Sequence, residues 1–315
     1  MNPKKKKFPV VLIIILAAIL LIFLGVSYVI GDQIVTASTN LVTNEQTMEL
    51  YKGSWEHEGF DEKAFKETYF IEEKHIPSSL NDHDVPYDFL TADGNENIVI
   101  MAHGMMGNRL TNYPTAQIFL NHGYNVVSYD QRSSGKNTAQ GSTYGYLEKY
   151  DLMDCVKHAR KLYPDAKIVV WGESFGGATA LLAMEAPEIQ KEVSALILDC
   201  PMTRMDTMVE DALTQMKIPL PMDYLLGCGN FVLKQKMDFS YEDVNAEKAA
   251  ESIQIPTLIF NSKTDEITPY SMGVNLYKHL GSSEKELYSA EDSVHIEIRL
   301  DEPEFYEEKI VKFLP

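Results

Sequence analysis

Lys167-Ile168-Val169-Val170-Trp171-Gly172-Glu173-Ser174-Phe175-Gly176-Gly177 runs from an apolar strand into a tight turn, and Ala178-Thr179-Ala180-Leu181-Leu182-Ala183-Met184 continues it as a helix. A Gly-x-Ser-x-Gly turn between a strand and a helix is a nucleophile elbow. The turn is sharp enough to force strained backbone angles on the serine, and glycines two residues to either side remove the Cβ atoms that would clash. The Ser174 oxygen then stands clear of the sheet above a helix N-terminus, which favours developing negative charge. Alone the pattern arises by chance. Flanked by strand and helix it marks Ser174 as a candidate nucleophile.

Working outward, short continuous apolar strands alternate with helices. Val85–Leu90 reads as an early strand, with Ala92-Asp93-Gly94-Asn95 as its turn. Strands follow at Ile98–Met101, Tyr124–Tyr129, Lys167–Trp171, Val193–Leu198, Thr257–Phe260 and Lys285–Tyr288. Between and after them, Thr115–Asn121, Leu147–Leu162, Tyr270–Leu280 and Phe305–Phe313 read as helices. Such strands imply a mainly parallel sheet covered on both faces. Phe65–Ile76 is ambiguous between helix and strand. The alternation stops between Pro201 and Ser252, a methionine-rich segment with helical patterns at Met205–Met216 and Tyr224–Lys234. Residues 202–252 are therefore expected as a small helical cap over the carboxyl ends of the strands. Its methionines suit either a core or an adaptable substrate surface.

The chain has 315 residues, room for one large α/β domain and a small insertion. A formal net charge of −18 argues against nucleic acid as a partner and disfavours strongly anionic substrates. Lys4-Lys5-Lys6-Lys7 precedes an uncharged run from Phe8 to Ile30, about 23 residues, enough to span a bilayer once. Residues 1–7 are then a cytoplasmic tail, 8–30 a transmembrane helix and 31–83 a juxtamembrane segment, with the catalytic domain, 84–315, outside. A cleavable signal ending near Val35-Thr36-Ala37 is the competing reading, against which the length of the apolar run weighs. Asp32–Glu58 reads as polar and helix-prone, with Tyr51, Trp55 and Phe60 free to pack on the domain or to sit near lipid. Cys155, Cys200 and Cys228 show no metal spacing, and a Cys200–Cys228 disulfide is conceivable outside the cell.

A nucleophilic serine needs a base, a carboxylate to orient it and donors for an oxyanion. His295 lies in a loop after the last strand and before the final helix, free to approach Ser174. Asp265 ends the Thr257–Phe260 strand, giving the chain order Ser…Asp…His. Asp199, at the end of the preceding strand, is its rival and Glu266 a weaker one. His103-Gly104-Met105-Met106-Gly107 follows the Ile98–Met101 strand. Backbone amides of Met105 and Phe175 are the expected oxyanion donors, with His103 a brace for the loop.

The His-Gly-x-x-Gly turn, Ser128-Tyr129-Asp130-Gln131-Arg132-Ser133-Ser134-Gly135, the elbow, and the Asp265 and His295 loops, in that order, resemble the α/β-hydrolase superfamily. The likeness runs from about Asp84 onward and is strongest to serine-aminopeptidase-like and esterase-like hydrolases. It implies a mostly parallel sheet of about eight strands, a Ser174-His295-Asp265 triad, and neither metal nor organic cofactor. Many relatives have Gly-x-Gly where this chain has Ser133-Ser134-Gly135, so no catalytic role passes to that loop. Asp130 and Arg132 are expected to brace it as a pair.

The expected activity is hydrolysis of a small or lipid-like carboxylic ester. A peptidase whose cap carboxylates, Glu210, Asp211 and Asp223, hold a free amino group is the alternative. A membrane-tethered binding module without turnover is a third.

Overall fold

The computed structural model describes residues 7–92, 94 and 96–315, so Lys4–Lys6 and the Asp93 and Asn95 positions of the expected turn lie outside the described residues. The chain divides into two compact units. The larger comprises residues 40–205 and 244–315, and the smaller residues 1–39 and 206–243.

The larger unit contains one eight-stranded sheet: β1 (Phe70–Pro77), β2 (Asp84–Thr91), β3 (Ile98–Ala102), β4 (Asn125–Tyr129), β5 (Ile168–Glu173), β6 (Ala195–Asp199), β7 (Thr257–Ser262) and β8 (Lys285–Ala290). Its spatial order is β1-β2-β4-β3-β5-β6-β7-β8. The β1–β2 and β2–β4 pairs are antiparallel and every other pair is parallel. The mostly parallel sheet of about eight strands is thus present, with its antiparallel pairs at one edge.

The unbroken apolar strands have a simple cause. Along β3, Ile98, Ile100 and Ala102 enter one core cluster while Val99 and Met101 enter the other, across the sheet. Period-two alternation normally leaves one side for water. Here both sides are dry, so every position is apolar.

In chain order the helices are α1 (Lys7–Thr39), α2 (Asn44–Glu58), α3 (Glu62–Thr68), α4 (Tyr113–Asn121), α5 (Glu148–Leu162), α6 (Phe175–Met184), α7 (Pro187–Gln190) and α8 (Met205–Gln215). They continue as α9 (Met222–Met237), α10 (Ala246–Ala250), α11 (Tyr270–His279), α12 (Ile298–Asp301) and α13 (Pro303–Phe313). The ambiguous Phe65–Ile76 stretch resolves into both states. Asp61 caps α3 by accepting from the Ala64 amide at 3.0 Å, and the chain then turns into edge strand β1.

Helix α2 opens on a reciprocal capping box: the Thr43 hydroxyl accepts from the Gln46 amide at 3.3 Å, and Gln46 Oε1 accepts from the Thr43 amide at 2.9 Å. It ends on Gly59 in the left-handed region. Its Tyr51 and Trp55 are buried in the core rather than left for lipid, and Trp55 Nε1 donates to the Leu110 carbonyl at 3.1 Å. Cys155, Cys200 and Cys228 are all buried free thiols.

In the smaller unit, α1 continues past the apolar run to Thr39. It is the one helix, among the described residues, long and apolar enough to cross a membrane. Its apolar side chains from Val10 to Val29 are largely exposed, which fits a membrane anchor.

Candidate active site

Ser174 occupies the junction of β5 and α6 with φ 49° and ψ −111°. Such a conformation persists only where the surroundings enforce it. A Cβ at Gly176 would collide with the Ala102 and His103 carbonyls, and one at Gly172 would meet the Gly176 carbonyl at 2.6 Å. The Ser174 amide donates to the Asp199 carbonyl at 2.8 Å, and its carbonyl accepts from Met202 at 3.0 Å. Met106, Cys200 and Ile296 also have positive φ, so loops after β3, β6 and β8 carry the same kind of strain.

The Ser174 hydroxyl donates to His295 Nε2 at 2.9 Å, and His295 Nδ1 donates to Asp265 Oδ2 at 2.7 Å. An ionised carboxylate only accepts, which puts the ring proton on Nδ1 and leaves Nε2 to receive one. Burial opposes ionisation of Asp265. The bond to His295, its charge, and the amides of Thr268 and Ile267 outweigh burial and hold the carboxyl below its usual range. Those amides both reach Asp265 Oδ1 at 2.8 Å, and the Thr268 hydroxyl lies 2.9 Å from Oδ2. Both carboxylate oxygens are thereby fixed.

Asp199 faces elsewhere. Its Oδ2 accepts from the Tyr306 hydroxyl at 2.7 Å, and burial raises its pKa. Glu266, adjacent to Asp265 in the same loop, is exposed. His103 is a brace: its Nδ1 lies 2.7 Å from the Gly104 carbonyl, and its Nε2 receives the Gln131 amide at 3.0 Å. Burial lowers its pKa to about 4, although the Gly104 bond acts the other way, so the ring is neutral with its proton on Nδ1.

Met105 follows Gly104, whose amide donates to Glu173 Oε1 at 3.3 Å, and Phe175 is the first residue of α6. This contact of Glu173 with the Gly104 loop is one the sequence did not reveal. Burial, then the nearby charges of Asp199 and Glu58, raise its carboxyl to about 8, with Arg299 acting against them. Thr268, three residues after Asp265, is by contrast a turn signal legible in the sequence.

Asp130 and Arg132 do not pair with each other. Asp130 Oδ2 accepts from Arg109 Nη1 at 2.6 Å, and Arg132 Nη1 donates to Asp82 at 2.9 Å. Arg109 is buried between Asp130, Asp88 at 2.8 Å and Glu73 at 3.0 Å. Both residues brace the fold, each through a partner distant in sequence.

Among the described residues, Cys200, Asp265 and His295 bring potential metal-ligand atoms within 4.8 Å of one another. Their chemistry does not suit an ion. Asp265 and His295 already bond each other, and burial pushes the Cys200 thiol up, away from the thiolate a metal needs.

The sheet order and the strained turn between β5 and α6 are those of the α/β-hydrolase fold, and known proteins give the same answer. Residues 97–226 match the family described as the alpha/beta hydrolase fold. The protein YqkD of Bacillus subtilis is 28% identical over 82% of this chain and 83% of its own length. The lysophosphatidylserine lipase ABHD12 of Macaca fascicularis is 25% identical over 57% of this chain and 44% of its own. Among solved structures, the Pyrococcus furiosus esterase Pf2001 superposes with a TM-score of 0.64 at 22% identity, covering 81% of this chain and 94% of the esterase. The chain has the α/β-hydrolase fold.

Proposed function

We propose that the chain is a membrane-anchored serine hydrolase of carboxylic esters, with its catalytic domain on the outer side of the membrane. Ser174 is the nucleophile, His295 the general base and Asp265 the group that orients the ring and stabilises it when protonated. The single observation that carries the reading is the continuous line of hydrogen bonds, 2.9 Å from Ser174 to His295 and 2.7 Å from His295 to Asp265.

In acylation, Ser174 Oγ attacks the ester carbonyl carbon while its proton passes to His295 Nε2. The carbonyl oxygen gains negative charge and is received by the amides of Met105 and Phe175. Collapse of the tetrahedral intermediate breaks the ester C–O bond, and His295 returns the proton to the departing alcohol. Water repeats the sequence on the acyl-enzyme, releasing the acid and restoring Ser174.

Ester rather than amide, and apolar rather than polar, rest on the surroundings. Met106, Ile267 and Val294 each lie within two residues of Met105, Asp265 or His295, and each exposes a large apolar side chain. Exposed hydrophobics grouped by three loops of one site favour a substrate with an apolar part. The relatives named an esterase and a lipase point the same way. Glu210, Asp211 and Asp223 are exposed helix carboxylates, the ordinary solvated state of such residues, which weakens the peptidase reading.

A panel of p-nitrophenyl esters of increasing chain length beside aminoacyl anilides tests the assignment. Ester turnover that rises with acyl length is expected. Preference for anilides would favour the peptidase, and turnover of neither would favour a binding module. External protease on intact expressing cells should remove the catalytic domain; protection would place it on the inner side.

A further inference from the structure

The contacts between α1 and α9, both within the smaller unit, set a height along the anchor. The Tyr224 hydroxyl hydrogen-bonds Ser27 Oγ at 2.7 Å, and the Tyr224 ring lies 5.9 Å from that of Phe23. A Cβ at Gly31 would collide with the Cys228 carbonyl, so the two backbones touch there, and Lys236 pairs with Asp32 just beyond the apolar run. At 1.5 Å per residue, Ser27 and Phe23 lie about 5 and about 10 Å inside the run that ends at Ile30. Tyr224 therefore sits at the depth of a headgroup–acyl boundary.

The turn joining α8 to α9 immediately precedes Tyr224 and reads Met216-Lys217-Ile218-Pro219-Leu220-Pro221. Met216 is 67% and Leu220 42% exposed. Large apolar side chains at a turn tip are unfavourable in water and favourable in that boundary, where they are buried in acyl chains. The charges nearby suit the same depth. Lys217 is long enough to place its ammonium among headgroups, and Asp223 lies at the start of α9, beside interfacial Tyr224.

We infer that the α8–α9 turn is an interfacial element that inserts Met216 and Leu220 among phospholipid acyl chains of the leaflet at the outer end of α1. This inference rests on the proposed reading of α1 as a membrane span. The insertion between β6 and β7 is then bound to the membrane twice, through the anchor helix and through its own tip. Its partner is a lipid surface, which would hold this part of the enzyme where an amphiphilic ester partitions.

Tryptophan quenching in the full chain, reconstituted in vesicles of phosphatidylcholine and phosphatidylglycerol brominated on the acyl chains, tests it. Leu220→Trp, Leu21→Trp in the anchor and Leu162→Trp on α5 are compared with the unsubstituted chain, whose tryptophans are both buried. Expected is loss of the added emission for Leu220→Trp and Leu21→Trp, and none for Leu162→Trp. Quenching of Leu21→Trp without Leu220→Trp would overturn the inference and leave the span intact. A blue-shifted but unquenched Leu220→Trp would overturn it in favour of cover by protein, such as a second copy. Quenching of neither would remove the span, and the inference with it.

Discussion

Asp265 and His295 meet at 2.7 Å from loops that follow neighbouring parallel strands, β7 and β8. The sheet makes that meeting possible. Parallel pairing puts the carboxyl ends of both strands on one edge, where Ser174 also follows β5. Each side chain then has one remaining task, to point correctly. Thr268 and the amides after Asp265 fix the carboxylate, and the carboxylate fixes the ring.

That arrangement ranks three substitutions. His295→Ala and Asp265→Asn should each cut ester kcat by on the order of 10⁴ while the protein stays folded. Asp199→Asn should leave turnover near that of the unsubstituted chain, because Asp199 bonds Tyr306. Steady-state kinetics with matched circular dichroism checks the order. Damage from Asp199→Asn in place of Asp265→Asn would move the acid to β6.

Glu173 should set an alkaline limit. With its carboxyl raised to about 8, it is mostly neutral at pH 7 and becomes a carboxylate above that value. The new charge would lie against the Gly104 amide, beside the loop expected to receive the oxyanion, and would oppose negative charge there. The kcat–pH profile should therefore fall above about pH 8, and Glu173→Gln should remove that fall. An unchanged alkaline limb in Glu173→Gln would contradict the role.

Much of the fold was legible because burial on both faces leaves a plain mark. Strand β3 is apolar throughout and β5 and β6 up to their carboxyl ends, and the elbow and the His295 loop are local patterns. What escaped notice depends on distance through space. Arg109 finds Asp88 and Asp130 at 21 residues' separation, which no local spacing encodes, whereas Arg132 is the arginine that stands near Asp130 in the sequence. Glu173 stood within the motif itself, yet only the folded loop of Gly104 gives its side chain a partner. The α3–β1 stretch was ambiguous because a helix of seven residues followed by an exposed edge strand holds too few turns of either period.

His103 ties stability to pH. Its folded pKa, about 4, lies below the ordinary histidine value, so the unfolded chain binds the extra proton first as pH falls. The stabilisation is complete above about pH 6.5 and is lost as pH drops toward 4, on the order of 3 kcal/mol in all. The apparent thermal midpoint of the detergent-solubilised chain should fall across that window. In His103→Gln the fall should be smaller; an identical pH dependence would place its origin elsewhere.

Arg109 is the charge whose loss should be felt most. Arg109→Leu leaves Asp88 and Asp130 buried without their cation, a defect of about 3–5 kcal/mol. Chemical denaturation should show that loss, and Arg109→Leu combined with Asp88→Asn and Asp130→Asn should recover part of it. A single variant as stable as the unsubstituted chain would mean the network contributes nothing net.

Everything proposed for the chemistry depends on Ser174 being a nucleophile activated by His295. Labelling of the purified full chain by a fluorophosphonate probe measures that directly. The unsubstituted protein should be labelled covalently at Ser174, His295→Ala should be labelled far more slowly, and Ser174→Ala should not be labelled at all. An unlabelled but folded unsubstituted protein, or labelling that survives Ser174→Ala, would contradict the account.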